Sequence, residues 1–478
     1  MPLLTIPSGN VASGLATGYD VANSCRFNSG DSPSLKDGDG SAPAGNRQKF
    51  TFSVWFKRAK LGVTQMFAAS AHSSSDEGYL YISGGDVLVW HHSSSGMGQL
   101  VTTQKFRDVG AWSNLVWSVD TTQSTASNRM KFFLNGTQIT SFSTETYPDE
   151  DKELYWNVGG TYYPYIGRRH GGDYWDGYLA EIVHIDNAQL DADSFGEFDS
   201  DSPRIWKPKD VSGLTFGTAG YHLDFEDSSA LGKDVSGQGN HFGTVAGLAA
   251  IDQSTDTCTN NFATMNSLDN FYGAKTFSEG NLQQADPSGD SFASHTTIGV
   301  SSGKWYAEAK LTAQGSDQTF IGVSSNQSTA TGFHLGKGAT SYGLYSSNGK
   351  IYNNSDSGTT YGDSYTVNDI LGIYLDLDNN KLYFAKNGTI MNSGTGHSIT
   401  APASTELGFY FFSGMQWDNS QGCTWQFNFG SPIFSISSAN ADTNGYGSFE
   451  YDPSSGTFDS ASKDFLALCT KNLGSDGG

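Results

Sequence analysis

The sequence predicts an all-β protein: two antiparallel jelly-roll or β-sandwich domains joined by an irregular connector. Three observations carry this. The 478 residues include 58 Gly, aromatics make up 13% and charged residues only 16%, a composition of many turns and many β-favouring side chains. Short runs alternate apolar and polar residues with period two and are separated by turn clusters. Finally, "KFFLNGTQI" at 131–139 and "KLYFAKNGTI" at 381–390 repeat one phrase. Asn-Gly between alternating runs is the signature of a tight hairpin, because both residues accept positive φ. Two copies this far apart indicate two separate modules; a solenoid would repeat every few tens of residues.

The elements follow in chain order. Residues 1–20 form an N-terminal segment without heptads. The first sandwich is expected over 21–200. Its clearest strand is "KFTFSVWFKRAK", with Phe50, Phe52, Val54 and Phe56 on one face and Thr51, Ser53, Trp55 and Lys57 on the other. "GYLYIS", "DVLVWHH", "NLVWSVD", "MKFFLNG" and "GYLAEIVHID" continue the pattern. "LDADSFGEFD" predicts one short helix, capped by Asp191 or Asp193. Residues 201–295, rich in Pro, Gly and polar residues, read as a linker and extended connector. The second sandwich is expected over 296–435. "KWYAEAKL" places Trp305, Ala307, Ala309 and Leu311 on one face, and "CTWQFNFG" does the same with Cys423, Trp425, Phe427 and Phe429. Residues 436–478 form a C-terminal segment with one short docked helix.

"FTFSVWFKR", "WSNLVWSVD", "MKFFLNGTQI" and "DGYLAEIVHID" resemble the laminin-G/concanavalin A-like lectin fold. "GKWYAEAKL", "SYGLYSSNGKIY", "GIYLDLDNNKLYFAKNG" and "FNFGSPIF" resemble a SPRY domain. Over nearly its full length, through "SFGEFDSDSPRIWKPKDVSG", "YHLDFEDSSALGKDVSGQGNHF" and "FLALCTKNL", the chain is similar to virion surface and fibre proteins of tailed phages of marine bacteria. That resemblance implies a place on the virion surface, with other virion proteins as neighbours. It supplies no binding residues, and the fold alone assigns no function.

Composition excludes several classes. Lys plus Arg is 27 against 49 Asp plus Glu, a net charge of −22, which argues against nucleic acid and anionic membranes as partners. No apolar run is long enough for membrane insertion. The start, "MPLLTIPSGNVASG", lacks the pattern of a signal peptide, so synthesis in the host cytoplasm is expected. The four Cys, at 25, 258, 423 and 469, form no CxxC pair, which argues against zinc.

Three chemistries bear on the function of such a chain. Glycoside hydrolysis needs paired carboxylates flanking one bond; Glu181 and Asp186 stand five apart and would face opposite sides, so no enzyme is expected. Calcium is the one candidate cofactor, none being required. Its candidate ligands are Asp37 and Asp39 in "KDGDGSA" and Asp234 and Asn240 in "KDVSGQGN". Sugar binding pairs aromatic platforms with hydrogen-bonding loops. The richest loop, "GRRHGGDYWDG", offers Arg168, Arg169, His170, Asp173, Tyr174 and Trp175; "VWHH" adds Trp90 and His92, with His91 on the opposite face; "GMQWDNSQG" adds Trp417 and Asp418. The expectation is a phage adhesin, in a tail or head fibre, that binds a bacterial surface glycan or receptor without catalysis. Presentation on a homo-oligomer, a trimer by preference, would add avidity. The alternative is a structural decoration or baseplate protein, with a polysaccharide depolymerase third.

Overall fold

The computed structural model describes residues 18–476, apart from 38–41, 74–75, 93, 95, 201, 270–274, 287–292, 316–317, 327–333, 418–420 and 460–462. The chain divides into two compact units, one ending at Thr259 and the next beginning at Asn260. Each is a pair of sheets facing each other across one core, so the all-β sandwich class holds.

In the first unit, sheet one runs in the order Thr137–Ile139, Met130–Leu134, Ser113–Asp120, Lys49–Arg58, Gly177–Asp186, Ser24–Phe27, Gln253–Ser254, with Tyr221–Leu223 also on Gly177–Asp186. Sheet two runs Phe142–Thr146, Gln99–Lys105, Val87–His92, Asp76–Ile82, Gln65–Ser73, Tyr163–Ile166, Ser34–Asp37, Phe242–Ala246. Phe50, Phe52, Val54 and Phe56 all enter the core, as their alternation requires, and meet Leu80, Ile82 and Leu88 of sheet two. Across the core, the Trp90 ring lies 4.5 Å from Trp117.

The second unit is built alike. A nine-stranded sheet is centred on Lys304–Gln314, Ile370–Asp376 and Cys423–Asn428, and a six-stranded sheet on Thr319–Ser324 and Phe411–Gln416. Trp305, Ala307, Ala309, Leu311, Cys423, Trp425, Phe427 and Phe429 lie in one core. The outward side of Lys304–Gln314 is covered by the C-terminal segment. Its Leu466–Ala467 strand pairs in parallel with Trp305 and Tyr306. The buried Glu308 carboxylate accepts the backbone N–H groups of Glu450 (3.1 Å) and Tyr451 (2.8 Å). The docked helix is Thr470–Asp476.

Both Asn-Gly phrases form the expected hairpins. Asn135 and Gly136 have φ of 46° and 77°, Asn387 and Gly388 49° and 79°. The two asparagines make the same clasp. The Asn135 side-chain oxygen accepts the Asn114 N–H at 2.7 Å while its own N–H donates to the Asn114 carbonyl. Asn387 does so with Ile370, at 2.9 Å. Each clasp locks a turn to the start of the neighbouring strand.

Two expectations are corrected. Residues 201–295, read as a linker and an extended connector packed on its neighbours, go further and supply strands to both units. Tyr221–Leu223, Phe242–Ala246 and Gln253–Ser254 join sheets of the first unit. Thr276–Ser278, Gln283–Asp286 and Ser294–His295 join sheets of the second. Exposed edges carry unpaired N–H and C=O groups, and strands of two to five residues satisfy them without showing a readable period. "LDADSFGEFD" makes only a single turn of 3-10 helix at Ala192–Ser194, followed by a strand, Gly196–Phe198, paired with Trp206–Pro208. The Trp206 indole occupies the place a side chain at Gly196 would take, so the chain extends there.

The 201–259 stretch is pinned to sheet one through Glu181. This residue sits at a bulge with φ of 45°, and its carboxylate meets His222 Nε2 at 3.0 Å and the Tyr19 hydroxyl at 3.2 Å. Burial pulls the His222 imidazole down, but the hydrogen bond and charge of Glu181, backed by Asp224 and Asp234, outweigh it and hold the pKa above its ordinary value.

Two predictions follow from these contacts. Asn135→Ala and Asn387→Ala should each destabilise their own unit by about 2 kcal/mol, since each loses a hydrogen bond and forces Ala to positive φ; denaturant unfolding followed by unit-specific proteolysis measures this. The His222–Glu181 pair stabilises fully below about pH 6.5 and its contribution is lost as pH rises through the higher folded-state value. The stability gap between wild type and His222→Gln should therefore narrow as pH is raised from about 6 to about 9, read from urea midpoints.

Candidate binding site

Successive residues of a strand face opposite sides. In sheet two the core takes Leu35, Ile166, Ala68, Leu80, Trp90 and Leu100. Their neighbours must face outward, and the register sets them side by side. Lys36 pairs with Tyr165, Tyr165 with Ala69, Ala69 with Tyr79, Tyr79 with His91, and His91 with Gln99. A second row runs Tyr163, Ala71, Glu77. The alanines make a low floor between tyrosines on either side. His91 stacks on Tyr79 at 5.9 Å and 17°, and Tyr81 meets the same ring edge-on at 6.4 Å.

The "GRRHGGDYWDG" loop lies over this face. Arg169 and Gly172 exchange backbone hydrogen bonds, closing a tight turn with His170 exposed beside its tip. The Arg169 guanidinium sits over the Tyr79 ring at 5.7 Å, holds Asp173 at 2.5 Å and reaches Glu77 at 3.7 Å. Arg168 lies over Tyr165 at 4.9 Å and Lys36 over Tyr163 at 3.5 Å. Glu77 is 0% exposed and short of strong hydrogen bonds; Arg169 is its nearest ion partner and the Tyr79 hydroxyl bears on it. Burial pushes the Tyr79 phenol up to about 12, the hydrogen bond and charge of Glu77 adding to it, and burial also raises Tyr81 and Tyr165. These phenols stay protonated at neutral pH. The face thus carries guanidinium and ammonium groups packed over tyrosine rings, of which Tyr79 and Tyr165 are buried, beside a buried carboxylate.

The second unit has its own outward aromatic cluster on the six-stranded sheet. Phe320 stacks with His334 (5.0 Å) and Tyr345 (4.7 Å), and Trp417 closes on His334 at 4.5 Å. His334 Nε2 lies 3.1 Å from Asp356, and Nδ1 lies 3.1 Å from the Leu335 carbonyl. Both ring nitrogens face acceptors.

The remaining predicted residues divide as follows. Trp175 and Trp90 are core, not platforms. Trp175 packs on Phe67 at 4.4 Å, and Trp90 packs on Trp117 while its indole donates to the Met97 carbonyl at 3.3 Å. A strand position facing the opposite sheet buries the largest ring available. His92 also faces inward, stacked on Tyr155 at 4.5 Å, opposite to His91 as expected. Tyr174 is half-buried at the loop base. Asp234 and Asn240 make a capped turn. The Asp234 carboxylate accepts N–H groups from His222, Ser236 and Asn240, each at 2.9 Å, and the Asn240 amide donates to the Thr218 and Gly220 carbonyls. Asp37 stands in a strand opposite Phe242; Asp39 and Asp418 lie outside the described residues. Among the described residues no group of three or more His, Cys, Asp or Glu has metal-binding geometry. Sequence reading missed Lys36, Glu77, Tyr79, Tyr81, Tyr163 and Tyr165. The signal was present in "GYLYIS" and "TYYPYIG", where tyrosines alternate with, or stand two apart beside, aliphatic core positions.

Residues 30–193 match the family profile described as the concanavalin A-like lectin/glucanases superfamily, and residues 304–432 match the SPRY domain profile. The two matches fall in the first and second units respectively. Similar solved structures include the SPRY domain of human HERC1, at 18% identity over 30% of this chain and 87% of that one, with a TM-score of 0.23. Another is the native heptameric SAP-like pentraxin from Limulus polyphemus, at 13% identity over 48% and 98%, with a TM-score of 0.26. A third is the TRIM65 PSpry domain, at 14% identity over 35% and 92%, also at 0.26. No curated protein matches.

The division between core and face is measurable. Trp175→Ala should cost about 3–5 kcal/mol of stability, whereas Arg168→Ala should stay within about 0.5 kcal/mol, by denaturant titration.

Proposed function

We propose that this chain is a non-catalytic adhesin whose first unit holds a saccharide on the outward face of sheet two. One observation carries the reading: a fully buried Glu77 carboxylate short of strong hydrogen bonds, met by Arg169 at 3.7 Å and by the Tyr79 hydroxyl, and set beside Tyr163 and Tyr165. An unmade hydrogen bond to a buried charged group costs stability, and a ligand hydroxyl would supply the missing donor. The Tyr79 and Tyr165 hydroxyls are further donors. Binding is favoured over hydrolysis because both carboxylates of this face, Glu77 and Asp173, are engaged by the one Arg169 guanidinium instead of facing each other across a space for a glycosidic bond. The finer reading follows the full-length resemblance: a virion surface or fibre component that attaches to a bacterial glycan, borne on a homo-oligomer with a trimer favoured.

Glycan-array screening of the full chain should find a bound saccharide. Tyr165→Ala and Glu77→Gln should each weaken it ten-fold or more, about 1.4 kcal/mol, with the unfolding midpoint held as the folding control. Absence of any bound saccharide, or full affinity in both variants, overturns the proposal.

A further inference from the structure

We infer that Lys57 and Asp256 of the first unit condense to an intramolecular isopeptide bond, a covalent cross-link that the chain forms by itself; the inference is independent of the saccharide reading. Alternation puts Lys57 on the outward side of Lys49–Arg58, next to the core residue Phe56. The segment after Gln253–Ser254 brings Asp256 onto it, and Lys57 Nζ meets Asp256 Oδ2 at 2.8 Å. Side-chain exposure is 1% for Lys57 and 2% for Asp256. Among the described residues one other lysine ion pair is buried this deeply on both sides, Lys275–Asp286 at 2% and 0%. There the nitrogen stands 3.7 Å from the carboxylate and donates instead to Ser294 Oγ at 3.0 Å.

Three features go beyond a charge pair. The second carboxylate oxygen, Asp256 Oδ1, accepts the Trp112 indole N–H at 2.9 Å. The Asp256 backbone is clamped on both sides: its N–H donates to Ser254 Oγ at 3.1 Å, and its carbonyl accepts the Ser24 hydroxyl at 2.6 Å. The surround is aromatic: the Tyr178 ring centre lies 5.6 Å from Lys57 Nζ, Trp112 lies 6.2 Å from Tyr178, and Trp55 is buried two residues before Lys57. Two opposite charges in such a place are costly to desolvate. Passing one proton from Nζ to Oδ2 turns them into a neutral amine beside a carboxylic acid. The amine lone pair then attacks Cγ, and Trp112 holds Oδ1, where negative charge develops. Collapse forms the Nζ–Cγ amide and breaks the Cγ–Oδ2 bond; Oδ2 leaves as water with its own proton and a second one from Nζ. The step needs no oxidant or co-reactant, and fixed proximity replaces a bimolecular encounter. The bond joins positions 199 apart in the chain and closes a loop that takes in the strands from Gln65–Ser73 to Gln253–Ser254. A cross-link over so long a loop strongly restricts the unfolded chain.

The test is the intact mass of the folded full chain. Condensation removes one water, so the purified protein should be lighter than its sequence by about 18 Da. Digestion should yield one branched peptide that joins Lys57 to Asp256. Lys57→Arg, which keeps a cation for Asp256, and Asp256→Ala should each restore the full mass and lower the unfolding midpoint. In chain made by cell-free synthesis and sampled over time, Trp112→Phe should slow the mass loss about ten-fold or more. A folded wild-type chain of full mass overturns the inference. A mass loss that survives in Lys57→Arg and Asp256→Ala places the bond elsewhere and overturns it too. An unchanged rate in Trp112→Phe overturns the role given to the indole.

Discussion

Everything on the outward face of sheet two depends on one constraint, the strict alternation of a strand between two sides. Leu35, Ile166, Leu80 and Trp90 are buried in the core, each removing apolar surface worth about 1.5–3 kcal/mol or more. A slip of one residue in any of these strands would exchange that burial for exposure. Lys36, Tyr165, Tyr79 and His91 therefore have no freedom over which side they occupy. The same energy that closes the sandwich aligns the face, so the site needs no separate scaffold.

The two outer sides of the first unit have different fates. Sheet one is covered: Thr51 bonds the Ala188 carbonyl, Lys57 pairs with the buried Asp256 at 2.8 Å, and Val183 and Ile185 pack with Phe195, Val211 and Phe216. A buried ion pair like Lys57–Asp256 adds little net stability, but breaking it leaves an uncompensated charge, so it fixes where the covering segment sits. On the outer side of sheet two the Arg168–Asp173 loop packs over Tyr79 and Tyr165, and no comparable run of covering strands is seen among the described residues.

Much of this was legible in the sequence. The long runs around Phe50–Phe56, Trp305–Leu311 and Cys423–Phe429 stated their own faces, and the two Asn-Gly hairpins announced two modules. Arg168, Arg169 and Asp173 were expected on one exposed loop, and that loop packs against the outer side of sheet two. Two things could not be read. The short strands between 221 and 295 have too few residues to show a period, and their pairing is dictated by edges distant in sequence. Trp90 and Trp175 carry no local mark separating a platform from a core ring; only the identity of the opposing sheet, with Trp117 and Phe67 waiting there, decides it. Glu77 and Tyr79 were hidden for the converse reason. Within "DEGYLYIS" they look like an ordinary solvated strand face until Lys36, Tyr165 and Arg169 arrive from far along the chain.

The buried Glu77 is also the place where this unit departs from what stability alone would favour. A glutamine or an aliphatic residue would fill the position beside Ala71 without a buried charge, and would relieve the desolvation that the carboxylate suffers. Arg169 compensates only in part, standing at 3.7 Å and divided with Asp173. Features that oppose folding persist where they are used. The same argument does not extend to Asp234 or Glu308, whose oxygens are consumed by backbone N–H groups of their own unit. Hydrogen-bond capacity left unspent, more than the mere presence of a charged or aromatic residue, distinguishes a surface prepared for a partner from one that is finished.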